Sequence, residues 1–334
     1  MTTTDPVAGR PALARAPRGD GAGGRTRVPR RAVHGVLLLD KPVGLSSNDA
    51  MLRVRRLLRA EKAGHTGTLD PLASGLLPIC LGAATKFAQV SLEADKRYTA
   101  VLRLGQRTVG GDREGAVVDE RPVHVTPASL AQACAAFVGP IEQVPPMQSA
   151  LKKDGKALYE YARAGLEVER PARRVTVHAI DILRWDDAAL ELTVDVRCSK
   201  GTYIRVLAED IGERLGCGAH LAALRRTGTG PLTLDGAISL DALAEMDEPA
   251  RDALLHPPDR LLADWPLLRL AESEALRFLS GLRRRVQEAD QPAVRVYGPE
   301  PAAFLGSAHI TAGELIADRL LSPLEVQALL KETP

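Results

Sequence analysis

The 334-residue sequence predicts an α+β protein with a small β-rich module in its last part. Three observations lead there. Alternating apolar and polar residues mark strands at 96–105, 175–184 and 190–197. Amphipathic or capped helices fall between and around them, at about 49–60, 126–137 and 206–215. Beyond residue 258 the apolar runs become short and β-like, at 293–297, 303–306 and 308–315.

Residues 1–31 are rich in Ala, Gly and Pro and nearly free of large apolar side chains, so a disordered tail is expected. Seven Arg against Asp5 and Asp20 give the tail a net charge of +5, which leaves −3 on the remainder of a chain whose total is +2. The body is therefore not a basic protein, and any nucleic-acid contact it makes must be a local patch. The four cysteines are far apart, which argues against a zinc site or a disulfide frame and for reduced thiols in the cytoplasm. No long apolar run and no signal-peptide core are found, so no membrane role is expected.

In chain order, Val36-Leu37-Leu38-Leu39 reads as a strand broken by Asp40-Lys41-Pro42-Val43-Gly44. Ser46, Ser47 and Asn48 are good caps for the helix that follows. That helix puts Met51, Val54, Leu57 and Leu58 on one face, and Arg53, Arg55, Arg56, Arg59 and Lys62 elsewhere. Alone it would be a solvated surface; directly before the next segment it suggests phosphate contacts.

That segment, Gly64-His65-Thr66-Gly67-Thr68-Leu69-Asp70-Pro71, presents one carboxylate in a glycine-bracketed frame fixed by Pro71. No second acid lies within three residues of Asp70, so neither a local metal cage nor a carboxylate pair is available. Two readings stand side by side: a rigid loop that offers Asp70 to a ligand, or a loop whose Asp70 caps a short helix over 72–77.

After the strand at 96–105 comes a turn-rich loop at 109–115, then Val117-Val118 in a strand, and Thr126-Pro127 opening a helix. The stretch 145–174 is basic and carries Tyr159 and Tyr161, two of only five tyrosines, a composition suited to a loop-RNA contact or to an exposed hairpin. Ser199-Lys200-Gly201-Thr202-Tyr203-Ile204-Arg205 leads into the helix at 206–215, and Arg205 is either a surface cation or a buried partner for Asp70. An Arg-Arg-Thr-Gly element ends the run from Leu221. Residues 245–258 are acidic and hold prolines, as a linker would, and Arg283-Arg284-Arg285 forms a cationic cluster. No G-x-G-x-x-G follows a strand, which argues against a methyltransferase that uses a nucleotide cofactor.

Leu39-Asp40-Lys41-Pro42, the Asp70 loop, Lys96-Arg97-Tyr98 and the stretch Cys198 to Arg205, taken in this order, resemble the TruB-type bacterial tRNA pseudouridine synthases. The resemblance spans about residues 35–226. It implies isomerisation of uridine 55 in the tRNA T loop by base flipping. It also implies a catalytic domain over 32–255, built on a mixed, largely antiparallel sheet flanked by helices. An insertion at about 145–173 would clamp the T arm, and residues 256–334 would form a PUA-like RNA-binding domain.

By the same resemblance Asp70 is the essential aspartate, Tyr98 stacks on the base, and Arg205 pairs with the acid. Tyr203 and Leu224 line the pocket, His65 fills the space left by the flipped base, and Lys41 and Pro42 support the site. Gln148 stands where the family often has an aromatic residue. The resemblance implies no metal, no organic cofactor and no protein partner, with tRNA as the substrate of a monomeric, cytoplasmic enzyme.

Overall fold

The computed structural model describes residues 29–299 and 303–332, so most of the tail expected over 1–31 lies outside the described residues. Its last member does not behave as a tail. Arg31 bridges to Ala60 and binds both carboxylate oxygens of Asp252, with Glu248 close by.

Ten strands make the main sheet: β1 Gly35–Lys41, β2 Ala63–His65, β3 Ala73–Leu81, β4 Lys96–Leu104, β5 Gly139–Gln143, β6 Arg173–Asp186, β7 Glu191–Cys198, β8 Ala219–Thr229, β9 Leu232–Thr233 and β10 Ile238–Ser239. Their order is β10-β1-β3-β8-β4-β7-β6-β5, with β2 on β3 and β9 on β8. Most neighbours are antiparallel, but β8 runs parallel to β3 and β10 parallel to β1. The sheet is thus mixed and largely antiparallel, as expected.

The helices start where local chemistry starts them. In α1, Ser47–Leu57, the Ser46 hydroxyl accepts from the Asp49 amide at 3.1 Å, and Ala50 and Val54 turn inward. In α2, Pro127–Ala135, Thr126 and Ser129 form a capping box and Pro127 supplies a pre-set φ. In α3, Ile204–Arg214, the buried Ile204, Leu207, Ala208 and Ile211 share one core with residues of β4, β7 and β8. A second core lies between α1 and the β1–β3 pair.

Two local expectations are overturned. Residues 72–77 are not a helix capped by Asp70: they lead into β3, a central strand buried along almost its whole length. An apolar run of this kind fits a strand covered on both faces better than a helix. Gly75 adds a further reason, since it has φ +99° and a β-carbon there would sit 2.2 Å from the Arg226 carbonyl of β8. Residues 245–258 are not an open linker either. Asp247 caps a short helix, Glu248–Asp252, whose acids pair with Arg31 and Arg59, and the Val36 and His256 backbones exchange hydrogen bonds of 2.8 and 2.9 Å.

A second sheet carries the C-terminal module: β11 Leu267–Arg269, β12 Arg284–Arg285, β13 Gln291–Tyr297, β14 Phe304–Thr311 and β15 Glu314–Leu320, in the order β11-β13-β14-β15-β12. The run expected as one strand at 308–315 contains a hairpin turn, where Ala312 and Gly313 both take positive φ. The module also holds two helices that its short apolar runs do not announce, α4 Glu272–Leu279 and α5 Pro323–Glu332.

The module shares a core with the main sheet, because Val36, Leu38, Leu76 and Phe87 pack with Phe278, Val296, Phe304 and Leu305. Phe304 is central to that contact, with ring centroids 5.2 Å from Phe87 and 5.5 Å from Tyr297. Phe304→Ala is expected to lower the unfolding free energy by about 3–5 kcal/mol in a urea titration, as for other buried aromatics. A change below about 1 kcal/mol would show that the contact is not cohesive.

Candidate active site

The Asp70 loop joins β2 to β3 and is tied at several points. The Ser47 hydroxyl, in the first turn of α1, accepts from the Leu69 amide at 2.7 Å and donates to its carbonyl at 3.0 Å. The Gly44 amide donates to the Pro71 carbonyl at 2.7 Å, and the Ala73 amide to the Asp70 carbonyl at 3.0 Å. These bonds hold the loop between the start of α1 and the head of β3, so the carboxylate is placed before any ligand arrives.

Arg205, in the first turn of α3, settles the choice left open by the sequence. Its side chain is only 5% exposed, and its Nη2 lies 3.1 Å from Asp70 Oδ2, whereas the Asp70 side chain keeps 39% of its surface accessible. The same Nη2 donates to the Gln148 carbonyl at 2.7 Å. Nη1 donates to the Gly110 carbonyl at 3.2 Å and to Asp112 Oδ2 at 3.4 Å. One guanidinium therefore spans two carboxylates and two loop carbonyls, a use that a planar fork allows and an ammonium does not. Of the two carboxylates, Asp70 is the reachable one.

Burial pushes the Asp70 carboxyl above the usual carboxylate range, with Arg205 opposing and Asp112 adding to the rise. Lys41 lies behind it with no exposed surface, its Nζ donating to the Pro42 and Leu45 carbonyls at 2.8 and 2.7 Å. Burial lowers its pKa to about 8, against the pull of Asp70. A reaction that needs ionised Asp70 loses rate as pH falls through a raised pKa. The acid limb of a single-turnover pH profile is therefore expected above the roughly 3.9 of a free aspartate. A limb at or below that value would contradict the desolvated setting.

Tyr98 on β4 and Leu224 on β8 stand beside this acid. Leu224 is in register with Ala73 of β3 and Ala100 of β4, and both it and Tyr98 pack against the same two cores. Tyr203 stands at the cap of α3, fixed through its backbone amide, which donates to Gln143 Oε1 at 3.0 Å. Burial raises both phenols, and the field of Asp70 reaches each. His65 sits at the end of β2 with a buried Nδ1 that has no hydrogen-bond partner among the described residues. Burial and Arg226 hold its imidazole below the ordinary value, hence neutral at pH 7. Pro42 is exposed and contributes only its carbonyl to Lys41.

The structure thus gathers Arg205, Lys41, Tyr98 and Tyr203 around the Asp70 carboxylate, while Leu224 pairs with Ala73 at the head of β3, Pro42 reaches the site only through Lys41, and His65 is coupled to Arg226. Asp112, Gln148 and Arg226 belong to the same network, and sequence reasoning does not assign them there. The Gly110-Gly111-Asp112 turn carries a weak signal, an acid in a glycine frame, although Glu114 stands two residues after it.

Among the described residues no group of three or more His, Cys, Asp or Glu is arranged to hold a metal ion, and no helix is long and apolar enough to cross a membrane. All four cysteines are buried free thiols. The cationic patch on and just after α1 narrows to Arg53, Arg56 and Lys62, which are exposed. Arg55 is bound to the Ala60 and Glu61 carbonyls and Arg59 to Glu248. In the insertion a small hairpin, Lys152–Lys153 with Lys156–Ala157, precedes a helix, Leu158–Arg163, where Arg163 lies 5.2 Å from the exposed Tyr159 ring.

Residues 55–204 match the model of the TruB family pseudouridylate synthase N-terminal domain, and residues 205–263 match that of the tRNA pseudouridylate synthase B C-terminal domain. A tRNA pseudouridine synthase B of Cupriavidus pinatubonensis is 60% identical over 306 residues, covering 88% of this chain and 96% of that protein. One from Burkholderia lata is 58% identical over 303 residues, covering 89% and 93%. Among solved structures, a Cbf5–Nop10–Gar1 complex aligns with a TM-score of 0.69 at 24% identity, over 88% of this chain and 87% of that one. An H/ACA RNP bound to a substrate RNA containing 2′-deoxyuridine aligns with a TM-score of 0.66 at 24% identity, over 88% and 86%. These last two share the fold.

Proposed function

We propose that this chain, which belongs to the TruB family of pseudouridine synthases, isomerises uridine 55 in the T loop of tRNA to pseudouridine. One observation carries the chemistry: an accessible Asp70 carboxylate held 3.1 Å from a buried Arg205 guanidinium, with two phenols and a leucine beside it. In the reaction the C1′–N1 bond breaks, the base turns, and a C1′–C5 bond forms. C5 gives up its hydrogen as a proton and N1 takes one up. Atoms and electrons balance within the substrate, so the reaction calls for no electron carrier and no group donor.

Each residue then has a task. Asp70 works as the carboxylate at C1′, and both direct attack and a glycal-forming elimination need it ionised and aimed. Arg205 keeps it so, orienting the carboxylate and opposing the rise in its pKa. The flipped uracil needs a planar face and a dry pocket, which Tyr98, Tyr203 and Leu224 supply. His65, neutral and half-buried, takes the space the base vacates in the loop. Lys41 with the Pro42 carbonyl braces the acid from behind.

The T arm lies across Arg53, Arg56 and Lys62 on one side and the Tyr159–Arg163 insertion on the other, with the C-terminal module as a further RNA contact. The enzyme acts as a monomer on tRNA in the cytoplasm.

The test is position mapping. An unmodified full-length tRNA treated with the enzyme, then with a carbodiimide that adducts pseudouridine, is expected to give one new reverse-transcription stop, at position 55. Stops spread over other uridines, with none at 55, would overturn the proposal.

A further inference from the structure

Arg226 is the largest fully buried side chain of the described residues, 1% exposed, and the reaction proposed above gives it no task. It sits on β8 opposite Tyr98 of β4 on one side and Gly75 of β3 on the other. Its Nε donates to the Leu76 carbonyl at 2.7 Å and its Nη2 to the Gly67 carbonyl at 3.1 Å. The Tyr98 phenol, at the strand position directly opposite, feels the guanidinium, which opposes the rise that burial gives its pKa. Its two hydrogen bonds go to carbonyls, where a buried cation is ordinarily matched by a carboxylate. Such a costly group has no packing role that an apolar residue would not fill better.

What the fork joins is informative. Leu76 belongs to the sheet, Gly67 is three residues before Asp70 in the loop, and Tyr98 is the wall of the site. We propose that Arg226 is a positioning residue: it locks the Tyr98 hydroxyl to the Asp70 loop, so that the ring and the carboxylate meet the nucleotide in fixed register. The proposal rests on the uridine reading above.

A guanidinium has only N–H donors, so toward it the Tyr98 oxygen can only accept, and the phenol's own proton is left free to point elsewhere. The fork also explains the fit of Gly67, which has φ +84° and where a β-carbon would come 3.2 Å from Arg226 Nη1. A lysine keeps the charge but lacks the planar array that reaches both carbonyls while facing the phenol.

The experiment is a double-mutant cycle on the full chain: wild type, Arg226→Lys, Tyr98→Phe and the double variant. Each is read by single-turnover tritium release from C5-tritiated tRNA at excess enzyme, by tRNA Kd, and by thermal melting. Arg226→Lys is expected to slow release about 10- to 100-fold, the scale of a small misplacement of reacting groups, with Kd within about twofold of wild type. In the Tyr98→Phe background the same change should cost less than about threefold, because the hydroxyl it holds is gone.

Equal losses in both backgrounds would mark Arg226 as a general structural support and overturn the proposal. If Arg226→Lys does not melt cooperatively, Arg226→Gln replaces it in the cycle, with the same two patterns deciding. Absence of release by wild type would sink the uridine reading itself, and this inference with it.

Discussion

Asp70→Asn is expected to abolish tritium release, with a loss on the order of 10⁴-fold or more, while leaving tRNA affinity within about threefold. The substitution keeps the shape of the side chain and its place at the end of the tied loop. It removes the charge that Arg205 orients at 3.1 Å, and with it the group proposed to engage C1′. Affinity should survive because the proposed backbone contacts of tRNA lie with cations elsewhere, such as the exposed Arg53, Arg56 and Lys62. Single-turnover release and filter binding on the same tRNA separate the two quantities. A variant that loses binding in proportion to rate would place Asp70 in recognition and not in chemistry.

Arg205→Met comes second and should act on both stability and rate. The guanidinium is 5% exposed and Asp112, which it also contacts, is 10% exposed, so its removal leaves a buried carboxylate and two loop carbonyls without their donor. Breaking a buried pair from one side costs about 3–5 kcal/mol, and a clear drop in melting temperature should follow. The rate should fall roughly 10²- to 10³-fold as Asp70 loses its orienting partner. Arg205→Lys should recover much of the stability and little of the rate, since one ammonium cannot serve Asp70, Asp112 and both carbonyls at once. Full activity in the lysine variant would mean that charge alone matters there and the fork does not.

Much of this site is legible in the sequence because its parts are local. The Ser46 and Thr126-Pro127 caps, the alternation in β4, β6 and β7, and the isolated acid before Pro71 are all short-range signals. Chemistry alone makes Arg205 a candidate partner of Asp70, and the two side chains do meet.

The features that escape are those set by tertiary contact. Residues 72–77 admit a helical reading because an apolar run carries no period of its own; only pairing with β1 on one side and β8 on the other makes it a strand. Asp112 and Gln148 reach Arg205 from 93 and 57 residues away, and nothing at short range announces such a contact. Arg225-Arg226 looks like one basic pair, yet Arg225 binds Asp40 near the surface while Arg226 is buried against Gly67, since strand neighbours point to opposite faces. The acids at 245–258 suggest a solvated linker, but Arg31 and Arg59 meet them from a distant part of the chain. In the C-terminal module the short strands hide α4, whose exposed Leu276 blurs its amphipathic pattern.

The central claim is that the wild-type chain moves uracil from N1 to C5 unaided at uridine 55. Its most direct test is tritium release from a T-arm RNA carrying C5-tritiated uridine at that position only, with no added cofactor. The account predicts release approaching one tritium per RNA, because the new C1′–C5 bond must expel that hydrogen. Tight binding of the RNA with no release would contradict it.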